Sequence, residues 1–143
     1  MTAIKRILCP VDFSEFSRHA LDSAVTIARQ QRATVTALYV VPPPQTVYPA
    51  FGIGAFVPYV YSVEELQEFQ QALERFVAAV DFPIAAVTVE ALVVDEILKR
   101  AADLPADLIV IGAHGGPRGL PAFGSTTNHV VRQATCPVLT VYT

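Results

Sequence analysis

Residues 107–127 read DLIVIGAHGGPRGLPAFGSTT, in which an apolar run, a glycine-rich loop and a serine–threonine cluster follow one another. The apolar run at 107–111 predicts a buried strand, because strands covered on both faces read as continuous apolar segments. Five of the seven glycines of the chain lie within 112–127, and Ser125, Thr126 and Thr127 suit the first turn of a helix. A strand that passes through a glycine-rich loop into a helix is typical of parallel α/β sheets.

The alternation of strands and helices extends over the rest of the chain. A serine cap at Ser14 or Ser17 begins the first helix, and the sequence SVEE at 62–65 forms a capping box for the second. Right-handed crossovers then predict a single domain over 1–143, with a doubly wound five-stranded parallel sheet in the order 3-2-1-4-5 and helices on both faces. The predicted strands are 4–11, 35–41, 86–93, 107–111 and 138–142, and the last two helices are 95–102 and 126–134.

Helical spacing of apolar residues predicts the buried face of the first two helices. Cys9 and Cys136 have neither metal-ligand spacing nor redox-motif spacing, so both are expected to be small buried hydrophobic residues without a disulfide. The predicted inward face of the first helix is Ala20, Leu21, Ala24, Val25 and Ala28, and that of the second is Leu66, Phe69, Leu73, Phe76, Val77 and Val80.

Composition excludes several classes of function. With 52% hydrophobic residues, 16% charged residues and a net charge of −3, the chain has no basic stripe for a phosphate backbone, so nucleic acid is not an expected partner. No apolar run is long enough to span a membrane and no secretory signal is visible, which predicts a cytoplasmic protein without a membrane partner. The high apolar content predicts some apolar surface that a subunit contact could cover.

The predicted strand order places a ligand crevice between the first and fourth strands, at the point where their helices leave in opposite directions. Pro10, Val11 and Asp12 leave the first strand there, and residues 111–115 leave the fourth. Glycines let backbone N–H groups approach an anion, and a helix N-terminus adds its dipole, so the loop fits a phosphate site. A flexible glycine loop that ends in an ordinary helix cap is the alternative.

Two common phosphate loops do not fit this chain. The dinucleotide fingerprint Gly-x-Gly-x-x-Gly is absent after the first strand, and residues 119–126 mimic a Walker A spacing with Ser125 where the lysine belongs. His114 has no second histidine three residues later, because Pro117 stands there. No nucleophile and base are paired by spacing, so we expect binding rather than turnover, and no catalytic residue is assigned.

Three blocks of sequence together resemble the universal stress protein family over nearly the whole chain. They are ILCPVDFS at 7–14, LIVIGAHG at 108–115, and GST at 124–126 with CPVL at 136–139. The ATP-binding members of that family carry the loop pattern Gly-x2-Gly-x9-Gly-Ser/Thr. This chain is similar to the pattern at its two ends. It has eight residues between Gly115 and Gly124, where the pattern has nine.

The resemblance implies an ATP-binding protein of the stress response that is regulatory rather than catalytic. Asp12, with Pro10 and Val11, would hold adenine and ribose, and the backbone of Val40 would contact adenine. A β-branched residue at Gly124 would block the phosphate and resist a positive φ. Mg²⁺ would bind through the phosphates, with no metal ligands from the protein. The implied phosphate cradle is Gly112, Gly115, Gly124, Ser125, Thr126 and Thr127. Ile111 at the end of the fourth strand is a further candidate site residue, and so is His114, which could touch a phosphate or simply pack.

Other functions remain open at the level of sequence. A dimeric interaction module of the same fold that binds no nucleotide is the first alternative, and a weak ATP hydrolase is the second. The insert at 42–61 has five prolines, five aromatic residues and no charge. It could cover the nucleotide, join subunits, recruit a protein partner or fold back over the sheet edge. The last strand, at 138–142, is an apolar edge, and the family resemblance implies a homodimer paired through it.

Overall fold

The computed structural model describes residues 3–44, 47–48, 55–56, 60–113 and 124–142. Five parallel strands form the main sheet, and two short strands form a separate antiparallel ribbon. The main strands are β1 (Arg6–Pro10), β2 (Thr34–Val41), β5 (Ile84–Glu90), β6 (Leu108–Gly112) and β7 (Val138–Val141), and the ribbon strands are β3 (Val47–Tyr48) and β4 (Ala55–Phe56). The helices are α1 (Glu15–Gln31), α2 (Val63–Ala78), α3 (Val93–Asp103) and α4 (Ser125–Gln133).

The strand order of the main sheet is β5-β2-β1-β6-β7, which confirms the predicted order 3-2-1-4-5. The central strand β1 pairs in parallel with β2 on one side and β6 on the other, so that Ile7 lies opposite both Val35 and Leu108. Every crossover between neighbouring parallel strands therefore passes over a face of the sheet, where a helix can cover it.

The hydrophobic core lies on both faces of the sheet because successive strand residues point to opposite sides. Ile7 and Cys9 of β1 belong to the cluster that contains the buried face of α1, whereas Leu8 packs with Ile97 of α3 and Val130 of α4. The predicted inward residues of α1 are all buried. This two-sided cover explains the continuous apolar sequences of β1 and β6.

Helix starts follow their capping signals where such signals exist. Ser14, and not Ser17, is the N-cap of α1, and Ser62 with Glu65 forms the predicted capping box of α2. The start of α3 was predicted two residues late, and β5 was predicted to extend to residue 93 although it ends at Glu90. The N-cap of α3 is Leu92, which offers no side-chain hydrogen bond, so the local sequence carries no start signal there.

Two predictions about burial were too strong. Of the six apolar residues predicted for the buried face of α2, only Leu73 and Val77 are buried and the other four are half-buried, because α2 packs on the edge strand β5. Both cysteines are free, as expected, but only Cys9 is fully buried and Cys136 is half-buried.

The described part of the insert at 42–61 contains the two-stranded ribbon. Its strands β3 and β4 pair so that Val47 lies opposite Phe56. Strands of two residues are too short to show an alternating pattern in the sequence, so this ribbon could not be read from it. Within the described part of the chain, no helix combines the length and the apolar character needed to cross a membrane.

Candidate functional site

A crevice of about 310 Å³ opens at the carboxyl ends of β1, β2 and β6, which is the predicted switch point of the sheet. Eight of the twelve predicted site residues line it: Pro10, Val11, Asp12, Val40, Ile111, Gly112, Thr126 and Thr127. Gly124 and Ser125 lie beside it without lining it, whereas His114 and Gly115 fall outside the described residues. A volume near 300 Å³ lies at the lower end of the range for small-molecule pockets.

The turn after β1 presents Asp12 at the mouth of the crevice. The Val11 N–H still donates to the Leu38 carbonyl at 2.9 Å, so the pairing of β1 with β2 continues to that point. The exposed carboxylate of Asp12 then accepts hydrogen bonds through Oδ1 from the Ser14 N–H at 3.1 Å and from the Ser14 hydroxyl at 2.5 Å. The carboxylate therefore lies where two neighbouring groups already fix its direction.

Phe13 adopts a left-handed backbone conformation in the same turn, with φ of 66°. This conformation is uncommon for a residue with a large side chain and requires support from the surroundings. Aromatic contacts supply it, since the Phe13 ring lies 4.6 Å from Tyr39 and 5.5 Å from Phe76, measured between ring centroids. The aromatic packing thus holds the turn that places Asp12 next to the crevice.

Gly112 ends β6 and brings the two sides of the crevice together. A Cβ atom at this position would lie 2.7 Å from the backbone carbon and oxygen of Phe16 and 2.9 Å from the Ser17 nitrogen. The absence of a side chain therefore lets β6 pack directly against the first turn of α1. The sequence indicated Gly112 only as a phosphate contact, and this close approach to α1 supplies a packing reason that it did not show.

Helix α4 directs its N-terminus at the crevice. Thr126 and Thr127 in its first turn line the crevice, and the Thr127 hydroxyl donates to the Gly112 carbonyl at 2.9 Å. Gly124 is the N-cap and offers no side-chain hydrogen bond, so the N–H groups of the first turn have no side-chain cap. Gly124 has φ of −58°, so the expectation of a positive φ there was wrong.

The side of the crevice that β2 and α3 form is apolar. Leu38 and Val40 point from β2 to the same face, and Val93 and Ile97 from the first turns of α3 lie there as well. Such a surface fits the flat apolar face of an aromatic ring. Sequence reasoning missed six lining residues: Ser17, Leu38, Tyr39, Pro42, Val93 and Ile97. The alternation along β2 could have revealed Leu38 together with Val40.

Charge is sparse among the described residues that line the crevice. Asp12 is their only carboxylate, and they include no lysine, arginine or histidine. Burial raises the pKa of the Tyr39 hydroxyl, and the Tyr61 and Asp12 side chains raise it further, so Tyr39 stays neutral near pH 7. Among the residues described, no group of three or more His, Cys, Asp and Glu side chains could hold a metal ion.

Cys9 lies next to the lining residue Pro10 but is unsuited to act as a nucleophile. Its side chain is fully buried, and burial raises the pKa of its thiol far above the ordinary value. The thiolate is the reactive form of cysteine, so this residue stays inert at neutral pH. Cys9 is therefore not a candidate nucleophile for this crevice.

The fold and this crevice define a class, namely doubly wound parallel α/β proteins with a ligand site at the switch point. Within that class, the model of the universal stress protein family matches residues 3–142. The chain belongs to the universal stress protein family. The resemblance seen in the three sequence blocks is thereby confirmed.

Individual relatives agree with this assignment. The chain is 34% identical over 140 residues to universal stress protein MJ0531 of Methanocaldococcus jannaschii, covering 96% of this chain and 81% of the relative. The structure of universal stress protein UspA from Lactobacillus plantarum superposes with a TM-score of 0.72 at 28% identity and 99% coverage of both chains. The universal stress protein of Archaeoglobus fulgidus in complex with dAMP gives a TM-score of 0.70 at 21% identity, covering 98% and 99% of the two chains.

Proposed function

We propose that this protein binds ATP in the crevice, with Mg²⁺ held through the phosphates, and acts as a regulator that hydrolyses ATP slowly or not at all. The observation that carries the proposal is the arrangement of three different surfaces around one opening. An apolar end suits a base, the Asp12 carboxylate suits ribose hydroxyls, and the first turn of α4 suits phosphates.

The charges around the crevice favour a nucleotide that arrives with a metal ion. The described lining residues contribute one carboxylate and no cationic side chain, so they do not neutralise a triphosphate. Mg²⁺ keeps several water molecules and commonly binds through phosphates with few protein ligands. The Archaeoglobus relative, whose complex contains dAMP, gives further support, because it is an adenine nucleotide complex on the same fold.

A regulatory role is supported by the chemistry of the same residues. Hydrolysis requires a group that orients or deprotonates the attacking water. Asp12 is the only carboxylate among the described lining residues, and in this proposal it binds the ribose. Dimeric interaction without nucleotide remains the second candidate function, and it is favoured by the exposed apolar residues of the β7 edge.

ATP with Mg²⁺ is expected to raise the melting temperature of the purified protein. A ligand that binds only the folded state stabilises it by mass action, by about 2.7 kcal/mol when its concentration is 100 times its dissociation constant. Differential scanning fluorimetry at millimolar ATP measures the shift, with GTP and Mg²⁺ alone as controls. An unchanged melting temperature at millimolar ATP would favour the nucleotide-free interaction module.

We also propose a homodimer in which the β7 edges of two copies pair about a twofold axis. β7 ends the sheet, and Leu139 and Tyr142 are 39% and 42% exposed beside that edge. The Pro137 carbonyl accepts a hydrogen bond from the Ile109 N–H of β6, and the Val141 carbonyl accepts one from the N–H of Ala113, which directly follows β6. Because main-chain groups alternate in direction along a strand, those of Thr140 face away from β6.

Thr140→Pro is therefore expected to raise the dimer dissociation constant at least about tenfold, because proline removes an outward N–H from the edge. Light scattering over a dilution series measures the mass, and Thr140→Ala, which keeps the N–H, is the matched control. A parent protein that is monomeric at micromolar concentration, or a Thr140→Pro dimer as tight as the parent, would contradict the proposal.

A further inference from the structure

Two serine hydroxyls form a closed hydrogen-bond network around the turn that carries Asp12. The Ser14 hydroxyl donates to Asp12 Oδ1 at 2.5 Å and accepts from the Ser17 N–H at 3.2 Å. The Ser17 hydroxyl donates to the Ser14 carbonyl at 3.0 Å and accepts from the Asp12 N–H at 3.3 Å. Each hydroxyl thus serves as donor and as acceptor, and the network links the backbone and the carboxylate of Asp12 to α1.

The network is anchored in the core at its inner end. Ser17 is 3% exposed and lines the crevice, and its backbone nitrogen is one of the atoms against which Gly112 packs. Asp12 itself is exposed, and an exposed carboxylate without such contacts would sample several rotamers. The contacts from Ser14 reduce that freedom, so the carboxylate is already oriented before a ligand arrives.

We propose that Ser14 is a positioning residue that holds the Asp12 carboxylate toward the hydroxyls of a ribose, and that it thereby sets the preference of the crevice for ribonucleotides. This inference rests on the proposed function. Ser14 acts through Asp12 and makes no contact with the nucleotide in this scheme. Its short hydrogen bond to an ionised acceptor belongs to the stronger class of hydrogen bonds, which fix direction as well as distance.

Ser14 is also the N-cap of α1, so the experiment has to separate positioning from capping. Ser14→Gly removes the hydroxyl and retains most of the capping, because glycine at an N-cap is only slightly less favourable than serine. Ser14→Thr keeps a hydroxyl and a good cap. Ser62→Ala removes the hydroxyl of the other serine N-cap, at the start of α2 and outside the crevice lining, and is the matched control for capping.

The measurement is the affinity for ATP and for 2′,3′-dideoxy-ATP, by titration calorimetry with Mg²⁺. We expect Ser14→Gly to weaken ATP binding about three- to tenfold and to leave dideoxy-ATP binding within about twofold of the parent. Ser14→Thr should restore the preference for ATP, and Ser62→Ala should lower the melting temperature with both affinities unchanged. In an Asp12→Ala background, Ser14→Gly should have no further effect on ATP binding.

Equal losses for both nucleotides in Ser14→Gly, or the same loss with and without Asp12, would reduce Ser14 to a helix cap and overturn the positioning role alone. A parent protein that binds ATP and dideoxy-ATP equally would overturn the ribose preference in the same way. A parent protein that binds neither nucleotide would overturn the proposed function itself, and the positioning role with it.

Discussion

Gly112→Ala is expected to lower the free energy of unfolding by about 3 kcal/mol, which corresponds to a fall of roughly 10 °C in melting temperature for a chain of this size. The added Cβ would lie 2.7 Å from two backbone atoms of Phe16, and neither atom belongs to a flexible side chain that could move aside. β6 and α1 would have to separate, in a core where the neighbouring residues Val110 and Ala113 are fully buried.

Gly124→Ala is the matched control on the other side of the same loop. Its φ of −58° suits alanine, and replacing the N-cap glycine of α4 should cost about 1 kcal/mol or less. Chemical denaturation monitored by circular dichroism measures both variants. A Gly112→Ala protein as stable as Gly124→Ala would show that β6 does not need to approach α1 so closely.

Asp12→Ala is expected to weaken ATP binding by about ten- to a hundredfold while the protein remains folded. Loss of a hydrogen bond to a charged acceptor costs about 1.5–3 kcal/mol, and a factor of ten corresponds to about 1.4 kcal/mol. The side chain is exposed, so its removal leaves no cavity in the core. Titration calorimetry with ATP and Mg²⁺ measures the affinity.

Asp103→Ala controls for the change in net charge. Asp103 ends α3 and pairs with Lys99 at 3.7 Å, and both side chains are more than half exposed. It lies at the opposite end of α3 from Val93 and Ile97, which line the crevice. If the two variants bind ATP equally well, the ribose assignment of Asp12 fails, and Asp12 is then a helix-terminal residue that only completes the turn before α1.

The main sheet was predictable because each of its five strands carries its own signal. β1 and β6 are continuous apolar runs that a two-sided core requires, and the capping serines Ser14 and Ser62 mark two helix starts in the local sequence. Once the strand order follows from right-handed crossovers, the position of the crevice follows as well, and with it the placement of Asp12 and Thr127.

The remaining features depend on contacts between distant segments. Gly112 packs against Phe16, which is far away in sequence, and no local pattern records that distance. Val93 and Ile97 reach the crevice only through the way α3 docks on the sheet. The left-handed conformation of Phe13 contradicts the intrinsic preference of a bulky residue, and it is held by Tyr39 and Phe76, so sequence rules alone predict the opposite.

The central position of β1 also determines when the crevice can form during synthesis. β1 and β2 are near neighbours in the chain, whereas Ile7 meets Leu108 only after about a hundred further residues have been made. Domains fold largely as units while the ribosome supplies the chain from its N-terminus. The crevice lies between the part of the fold that is synthesised first, with β1, β2 and β5, and the part that is synthesised last, with β6, α4 and β7. A nascent chain that lacks the second half presents Asp12 without its opposite wall, so the proposed nucleotide site is complete only after β6 and α4 have been made.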